Sequence, residues 1–260
     1  MIYITGDLHG QLDNVIYLTQ KHNTTKEDIV VILGDAGFNY YGDGRDEYMK
    51  KRAERLPITF LCIHGNHEMR PGTLENYKLI PFAGGYAYIE EAYPSIFFAK
   101  DGLFSVCGQT ILVIGGAYSV DKEYRLNRGF GWWADEQPSE EVKSYVEHKL
   151  NKAGWKVDYV FTHTCPFQYQ PTEVFLPWID QSTVDTSTEK WFEEIEGKLK
   201  YSKWYCGHFH VDKSVDKIRF LFKDIISFEA GRFQATVNKL ADIVYGEQKP
   251  GCFAARDCES

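Results

Sequence analysis

Five apolar runs in this chain each end on a polar side chain that is costly to bury, and this recurrence constrains the fold more than any other feature. Residues 2–5 (IYIT) run into Gly6-Asp7-Leu8-His9, and 29–33 (IVVIL) into Gly34-Asp35. Residues 58–63 (ITFLCI) lead to Gly65-Asn66-His67-Glu68, 159–162 to His163, and 204–206 to Gly207-His208-Phe209-His210. A buried strand that delivers Asp or His makes physical sense when that side chain meets a partner at the strand end. Between the early runs lie helix-prone stretches. Residues 12–22 place Leu12, Val15, Ile16 and Thr19 on one face, and 47–56 is charged. Strand, loop, helix, strand, repeated, predicts a parallel sheet with crossover helices, whose ligand loops gather at the carboxyl ends of the strands.

The middle of the chain changes character. Residues 86–89, 96–99, 103–106 and 111–114 are short strands separated by Gly or Asp turns, which predicts direct pairing of consecutive strands, antiparallel or mixed. Residues 138–153 predict a helix with Ser139 as N-cap and Val142, Tyr145, Val146 and Leu150 on its apolar face. Segment 164–188 has three prolines and no period, and irregular stretches of that length often carry function. A helix over 188–199 and a hairpin of 218–222 with 225–228, turning at Lys223-Asp224, complete the expectation. A single domain over 1–245 with a tail at 246–260 is the economical organisation.

The donors at the strand ends are carboxylate oxygen, amide oxygen and imidazole nitrogen, with no thiolate. That set suits Mn, Fe or Zn over Ca, and differs from a Cys-type structural zinc site. There are too many ligands for one divalent ion and enough for two. In extended backbone, residues i and i+2 point the same way, so both members of Asp7-x-His9 and of His208-x-His210 are expected to reach one ion. Singly, each piece has an ordinary reading: Gly-Asp as a capped turn, and GNHE as a helix start with Asn66 as cap. Their joint occurrence in order points to a metal site.

Composition limits the partners. The net charge is -8, which argues against nucleic acid but leaves a small phosphate ester available, because bound cations reverse the local field. The six cysteines show no C-x-x-C spacing, the chain opens directly into MIYIT, and no run approaches the ~20 apolar residues of a membrane helix. A cytoplasmic protein with reduced thiols and no membrane partner is expected, with Cys252 and Cys258 the most exposed. The many aromatic residues read as core or as pocket lining. Trp132-Trp133 and 164–188 read as a rim over the site or as surface packing, and Phe38, Tyr40 and Tyr41 as pocket walls, Phe38 rather as core.

The order Asp-x-His, Gly-Asp, Gly-Asn-His-Glu, His, Gly-His-x-His resembles the calcineurin-like metallophosphoesterase superfamily from Gly6 to His210. GDLHGQ and GNHE are similar to the forms in protein serine/threonine phosphatases and bacterial diadenosine tetraphosphate hydrolase. The resemblance implies an α/β fold, a four-layer α/β/β/α sandwich of two mixed β-sheets flanked by helices. It implies one divalent metal on Asp7, His9 and His210, a second on Asn66, His163 and His208, Asp35 bridging them, and His67 beside the leaving group. The implied reaction is hydrolysis of a phosphomonoester or small phosphodiester, nucleotides included. Two cations ~3.5–4 Å apart would acidify a water for in-line attack on phosphorus, and His67 would protonate the departing alkoxide. A nuclease, a phosphoprotein phosphatase and a metal-binding scaffold without turnover are the competing readings.

One departure stands out. In the protein phosphatases the bridging Asp is followed three residues on by Asp and then Arg, a support for the catalytic His and a phosphate clamp. Here Phe38 and Asn39 occupy those places. Asp121, in GGAYSVDKEYR, is the candidate to orient His67, with turn formation as its ordinary role. Arg70 and Arg125, with Lys122 and Arg128, are candidate phosphate binders, so Arg70, Asp121 and Arg125 form the candidate substrate side of the site.

Overall fold

Each residue of the run at 29–32 is buried, and the reason is two-sided: Ile29 and Val31 face one apolar layer, Val30 and Ile32 another. This is the signature of a strand covered on both faces. In the computed structural model, which describes residues 1–228, the strands in chain order are β1 (Ile2–Thr5), β2 (Ile29–Ile32), β3 (Thr59–Cys62), β4 (Tyr77–Phe82), β5 (Gly85–Glu90), β6 (Ile96–Ala99) and β7 (Gly102–Val106). They continue with β8 (Gln109–Ile114), β9 (Tyr159–Thr162), β10 (Lys203–Cys206), β11 (Lys213–Val215), β12 (Ile218–Phe220) and β13 (Ile226–Phe228). The helices are α1 (Asp13–His22), α2 (Gly44–Glu54), α3 (Lys122–Arg128), α4 (Glu140–Lys152) and α5 (Ser187–Glu196).

Two mixed sheets result. The first has the order β13-β1-β2-β3-β6-β5-β4, and the second β11-β12-β10-β9-β8-β7. Strands β1, β2, β3 and β6 run parallel in the first, and β8, β9, β10 and β12 in the second. Three apolar interfaces separate four layers. Leu12, Val15, Leu18 and Ala53 of the first two helices cover Val30, Ile32, Phe60 and Phe98. Ile4, Val31 and Phe97 of one sheet meet Phe104, Val113 and Phe161 of the other. Val146, Leu150, Phe192 and Ile195 cover Leu112, Val160, Trp204 and Phe220. Each such side chain contributes about 1.5–3 kcal/mol on burial. The expected α/β/β/α sandwich is what the chain forms.

Local chemistry sets the helix starts. Ser139 caps α4, its Oγ accepting from Val142 N at 3.3 Å, as expected. Helix α2 begins at Gly44, three residues before the charged stretch that predicts it, because Asp43 caps it and Asp46 accepts from the amides of Tyr40, Tyr41 and Gly42. Two expectations need correction. There is no hairpin over 218–228: β12 pairs with β11 and β10, whereas β13 crosses to pair antiparallel with β1. The Asp212 carboxylate accepts from the amides of Phe222, Lys223 and Asp224, so Lys223-Asp224 turns the chain between sheets instead of back on itself. Consecutive pairing in the middle also breaks once. β5 pairs with β6 and β7 with β8, but β6 and β7 lie in different sheets. Strand β4 and helix α3 were not anticipated; Pro81 sits in β4 without penalty because β4 is an edge.

Cys62, Cys107, Cys165 and Cys206 are free thiols. The boundary at 245/246 and the exposure of Cys252 and Cys258 lie outside the described residues. No helix among the described residues is long and apolar enough to cross a membrane.

Candidate metal centre

The carboxyl ends of β1, β2, β3, β9 and β10 meet at one rim of the sandwich, and their loops bring Asp7, His9, Asp35, Asn66, His67, His163, His208 and His210 together. Three overlapping groups could each hold a metal ion: Asp7, His9 and His210; His9, Asp35 and His67; Asp7, Asp35 and His163. Within each, one ligand atom per residue lies within 4.8 Å of the others. Both carboxylates are buried and divide their oxygens alike. Asp7 Oδ1 accepts from His208 N at 2.8 Å, and Asp35 Oδ1 from His67 N at 2.9 Å, which ties neighbouring loops together. The second oxygens face the cluster. Asp35 Oδ2 lies 3.8 Å from His67 Nδ1, 3.8 Å from His163 Nε2 and 3.9 Å from His9 Nδ1. Asp7 Oδ2 lies 3.2 Å from His210 Nε2 and makes no hydrogen bond.

One contact sets acceptor against acceptor, and other ring nitrogens crowd round it. His163 Nδ1 donates to the Leu33 carbonyl at 2.7 Å, which puts the ring's lone pair on Nε2. That nitrogen lies 2.8 Å from Asn66 Oδ1, and His208 Nδ1 lies 3.1 Å from the same oxygen. Asn66 Nδ2 donates to Ser119 Oγ at 2.8 Å, which fixes the amide with its oxygen toward the two rings. His9 Nε2 and His210 Nε2 face each other at 2.9 Å. Burial, then the nearby His163, holds His208 down at about 3, so it is neutral at ordinary pH and its lone pair is free to bind. Burial pushes Asp7 up, but the adjacent His210 and the fields of His163 and His9 outweigh this and hold it well below the usual carboxylate range. Carboxylate and amide oxygens and imidazole nitrogens in this arrangement, with Asp7 Oδ2 buried and without a hydrogen-bond partner, fit divalent cations.

The backbone pays for this convergence in strain. His9, Asp35, His208 and His210 all have positive φ, between 46° and 66°, each costing on the order of 1–3 kcal/mol. The extended backbone expected for the two pairs is not formed, yet Asp7 and His9 still reach one cluster; only His208 and His210 part. His210 approaches Asp7 and His9, whereas His208 turns to Asn66. Gly34 and Gly65 leave no room for a side chain. A Cβ on Gly34, at φ +103°, would meet His163 Nδ1 at 2.0 Å, and one on Gly65 would meet Asp35 Oδ1 at 2.0 Å.

Around His67 the candidate substrate residues take distinct places. Asp121 Oδ1 lies 3.4 Å from His67 Nε2, and Arg125 Nη2 donates to His67 Nδ1 at 2.8 Å. Arg125 is buried, and also donates to Asp121, to Tyr40 Oη and to the Gly131 carbonyl. Arg70 instead binds Asp101 and the Asp135 carbonyl, away from the ligands. Phe38 is core against Phe60, and Asn39 accepts from Tyr77 Oη.

Two residues that the sequence did not single out hold the loops. Ser119 orients Asn66. Glu68 accepts from the amides of Ala36, Gly37 and Gly65, joining the loops after β2 and β3, and burial next to Asp35 raises it to about 8. GNHE is therefore a turn with a buried clamp, not a helix start. A cavity of about 430 Å3 opens onto Asp35, Asn66, His67, His208 and His210, walled in part by the 164–188 segment.

The model of the calcineurin-like phosphoesterase family matches residues 1–212. The chain belongs to that family, and its fold and ligand clusters are those of a metallophosphoesterase-type hydrolase. No curated protein matches it. Among solved structures, a phosphopantetheinyl hydrolase from Mycobacterium tuberculosis is similar at 17% identity and a TM-score of 0.44, over 85% of this chain and 87% of that one. A protein of unknown function from Aquifex aeolicus is similar at 16% identity and a TM-score of 0.27, over 63% of this chain and 80% of its own.

Proposed function

We propose that the protein hydrolyses small phosphate esters, monoesters or compact diesters, at a two-metal centre. The observation that carries this reading is the convergence of ligating groups at one rim: buried Asp7 Oδ2, buried Asn66 Oδ1 set against the lone pair of His163 Nε2, and His208, His9 and His210 around them. Asp7, His9 and His210 would hold one divalent ion, Asn66, His163 and His208 the other, and Asp35 both. Mn, Fe or Zn suits these oxygen and nitrogen donors. When bound, such ions offset phosphate charge and acidify water.

The chain's own residues supply the rest. Arg125 donates to His67 Nδ1, so the imidazole proton resides on Nε2 beside Asp121. From there Nε2–H can hydrogen-bond the oxygen of the leaving group and stabilise its developing charge. We therefore assign Arg125 and Asp121 to positioning His67. Arg70, bound to Asp101, stands farther from this task. The free thiols suit a reducing, cytoplasmic setting. The net charge weighs against a nuclease, and core use of Phe38 and Asn39 against a phosphoprotein phosphatase.

The test pairs metal analysis with turnover of nitrophenyl phosphate, bis-nitrophenyl phosphate, nucleotides and a phosphopeptide. Expected are two bound metals and chelator-sensitive hydrolysis of a small ester, with both lost in Asp35→Asn. Bound metal without turnover of any substrate would establish the scaffold instead, and a fully active, metal-replete Asp35→Asn would refute the assignment of Asp35.

A further inference from the structure

The cavity beside the ligand cluster is unlike a polyphosphate site. Val174, Phe175, Leu176, Ile179 and Val184 give it an apolar wall. Among the described residues, its charged lining apart from histidine is acidic: Asp35, Asp121, Asp185 and Glu189. The Arg125 guanidinium beside His67 is committed to Asp121, Tyr40, Gly131 and His67.

Glu189 is the unusual member. It lies in the first turn of α5 and is only 3% exposed. Its Oε1 accepts from Thr164 Oγ1 at 2.8 Å, while Oε2 has no hydrogen-bond partner among the described residues. Among the described residues no cationic side chain forms a salt bridge with it. A buried carboxylate left in this state is costly unless a ligand supplies the missing donor. Burial accordingly raises Glu189 to about 7, a shift that an incoming ammonium would reverse. Asp185, exposed at the same wall, adds to the negative field.

Building on the phosphoesterase reading, we infer that the organic part of the substrate is largely apolar and ends in an N–H donor, an amine or amide, received by Glu189 with Asp185 nearby. The apolar stem lies along the 174–184 wall. Substrates that carry a second anionic group there meet Glu189 and Asp185, neither held in a salt bridge among the described residues, and are rejected, which sets nucleoside and dinucleoside polyphosphates aside. Glu189 is thus a specificity-determining residue for the organic group.

Three esters with alcohols of similar reactivity test this with the manganese-loaded full chain: hexyl, 6-aminohexyl and 6-carboxyhexyl phosphate. Expected is a kcat/KM order of amino, then hexyl, then carboxyl, with the extremes apart by roughly tenfold to a hundredfold, the scale of a charge-assisted hydrogen bond. Glu189→Gln and Asp185→Asn should each move the amino-to-carboxyl ratio toward unity. A binding measurement needs no metal and no turnover: ligand-observed NMR on metal-free protein should show 6-amino-1-hexanol bound more tightly than 1-hexanol. If Glu189→Gln does not fold, Asp185→Asn and the NMR comparison decide. Equal kcat/KM for the three esters, or a ratio unmoved in both variants, overturns the inference and leaves the phosphoesterase reading intact. Inertness toward all three esters and nitrophenyl phosphate alike overturns both.

Discussion

Arg125 donates from Nη2 to Nδ1 of His67 across 2.8 Å, and this contact decides which imidazole nitrogen carries the proton. A guanidinium only donates, so Nδ1 must accept and the hydrogen resides on Nε2, 3.4 Å from Asp121 Oδ1. The support that the loop after β2 does not provide, with Phe38 in the core, comes instead from Asp121 at the start of α3 and Arg125 within it.

Loss of that support should appear in kcat. Arg125→Ala and Asp121→Asn are each expected to lower kcat by about tenfold to a hundredfold, part of the ~10²–10³ that a donor aimed at a developing oxyanion supplies. Metal content should hold and KM should change little. The loss should be larger for phenyl than for nitrophenyl phosphate, because the poorer leaving group develops more charge for Nε2–H to stabilise. A rise in KM with kcat intact would instead make Arg125 a phosphate clamp.

Metal should stabilise the fold. At a free concentration a hundred times Kd, one bound ion adds about 2.7 kcal/mol. For a chain of this size that raises Tm by roughly 5–10 °C. Thermal denaturation with manganese, then with chelator, measures it, and a Tm indifferent to both would count against the acceptor cluster as a metal site.

Gly34→Ala should be among the worst small substitutions in the chain. The added Cβ would lie 2.0 Å from His163 Nδ1, at a φ of +103°. The ring must leave the Leu33 carbonyl, so loss of more than about 2 kcal/mol of stability and of metal affinity is expected. Urea midpoints and metal stoichiometry report the two effects separately. A variant with wild-type values for both would contradict the packing described.

Glu189 should give the metal-free protein a pH signature. Its carboxyl is raised by burial from 4.5 to about 7, so between those values the folded state keeps a proton that the unfolded chain has released. Stability from this group is complete below pH 4.5 and lost as pH rises to about 7, by up to roughly 3 kcal/mol. Glu189→Gln should flatten that window, as urea midpoints across it would reveal. Parallel profiles for the two proteins would mean that Glu189 does not retain its proton on folding.

The strand ends were legible because IVVIL and ITFLCI are buried on both faces, leaving Gly and the polar residues after them no role but turn and ligand. What stayed hidden depends on partners distant in sequence. The left-handed turns at His9, Asp35, His208 and His210 follow from tertiary contacts and oppose local preference. Asp121 stood out through its position after Gly115-Gly116. The commitments of Arg125 did not, because Tyr40 and Gly131 lie in separate loops. The crossing between β12 and β13 was invisible because Asp212, which holds the turn, precedes it by ten residues or more.

The centre straddles the seam between layers. Asp7, His9, Asp35, Asn66 and His67 follow strands of the seven-stranded sheet, and His163, His208 and His210 follow strands of the six-stranded one. Across most of their area these sheets touch through side chains alone, a contact without direction that resists sliding poorly. Ions held from both sides would act as a rivet at one edge. Stripped of them, the molecule is expected to shear along that seam before it melts, with amide exchange quickening first at the ends of β9 and β10.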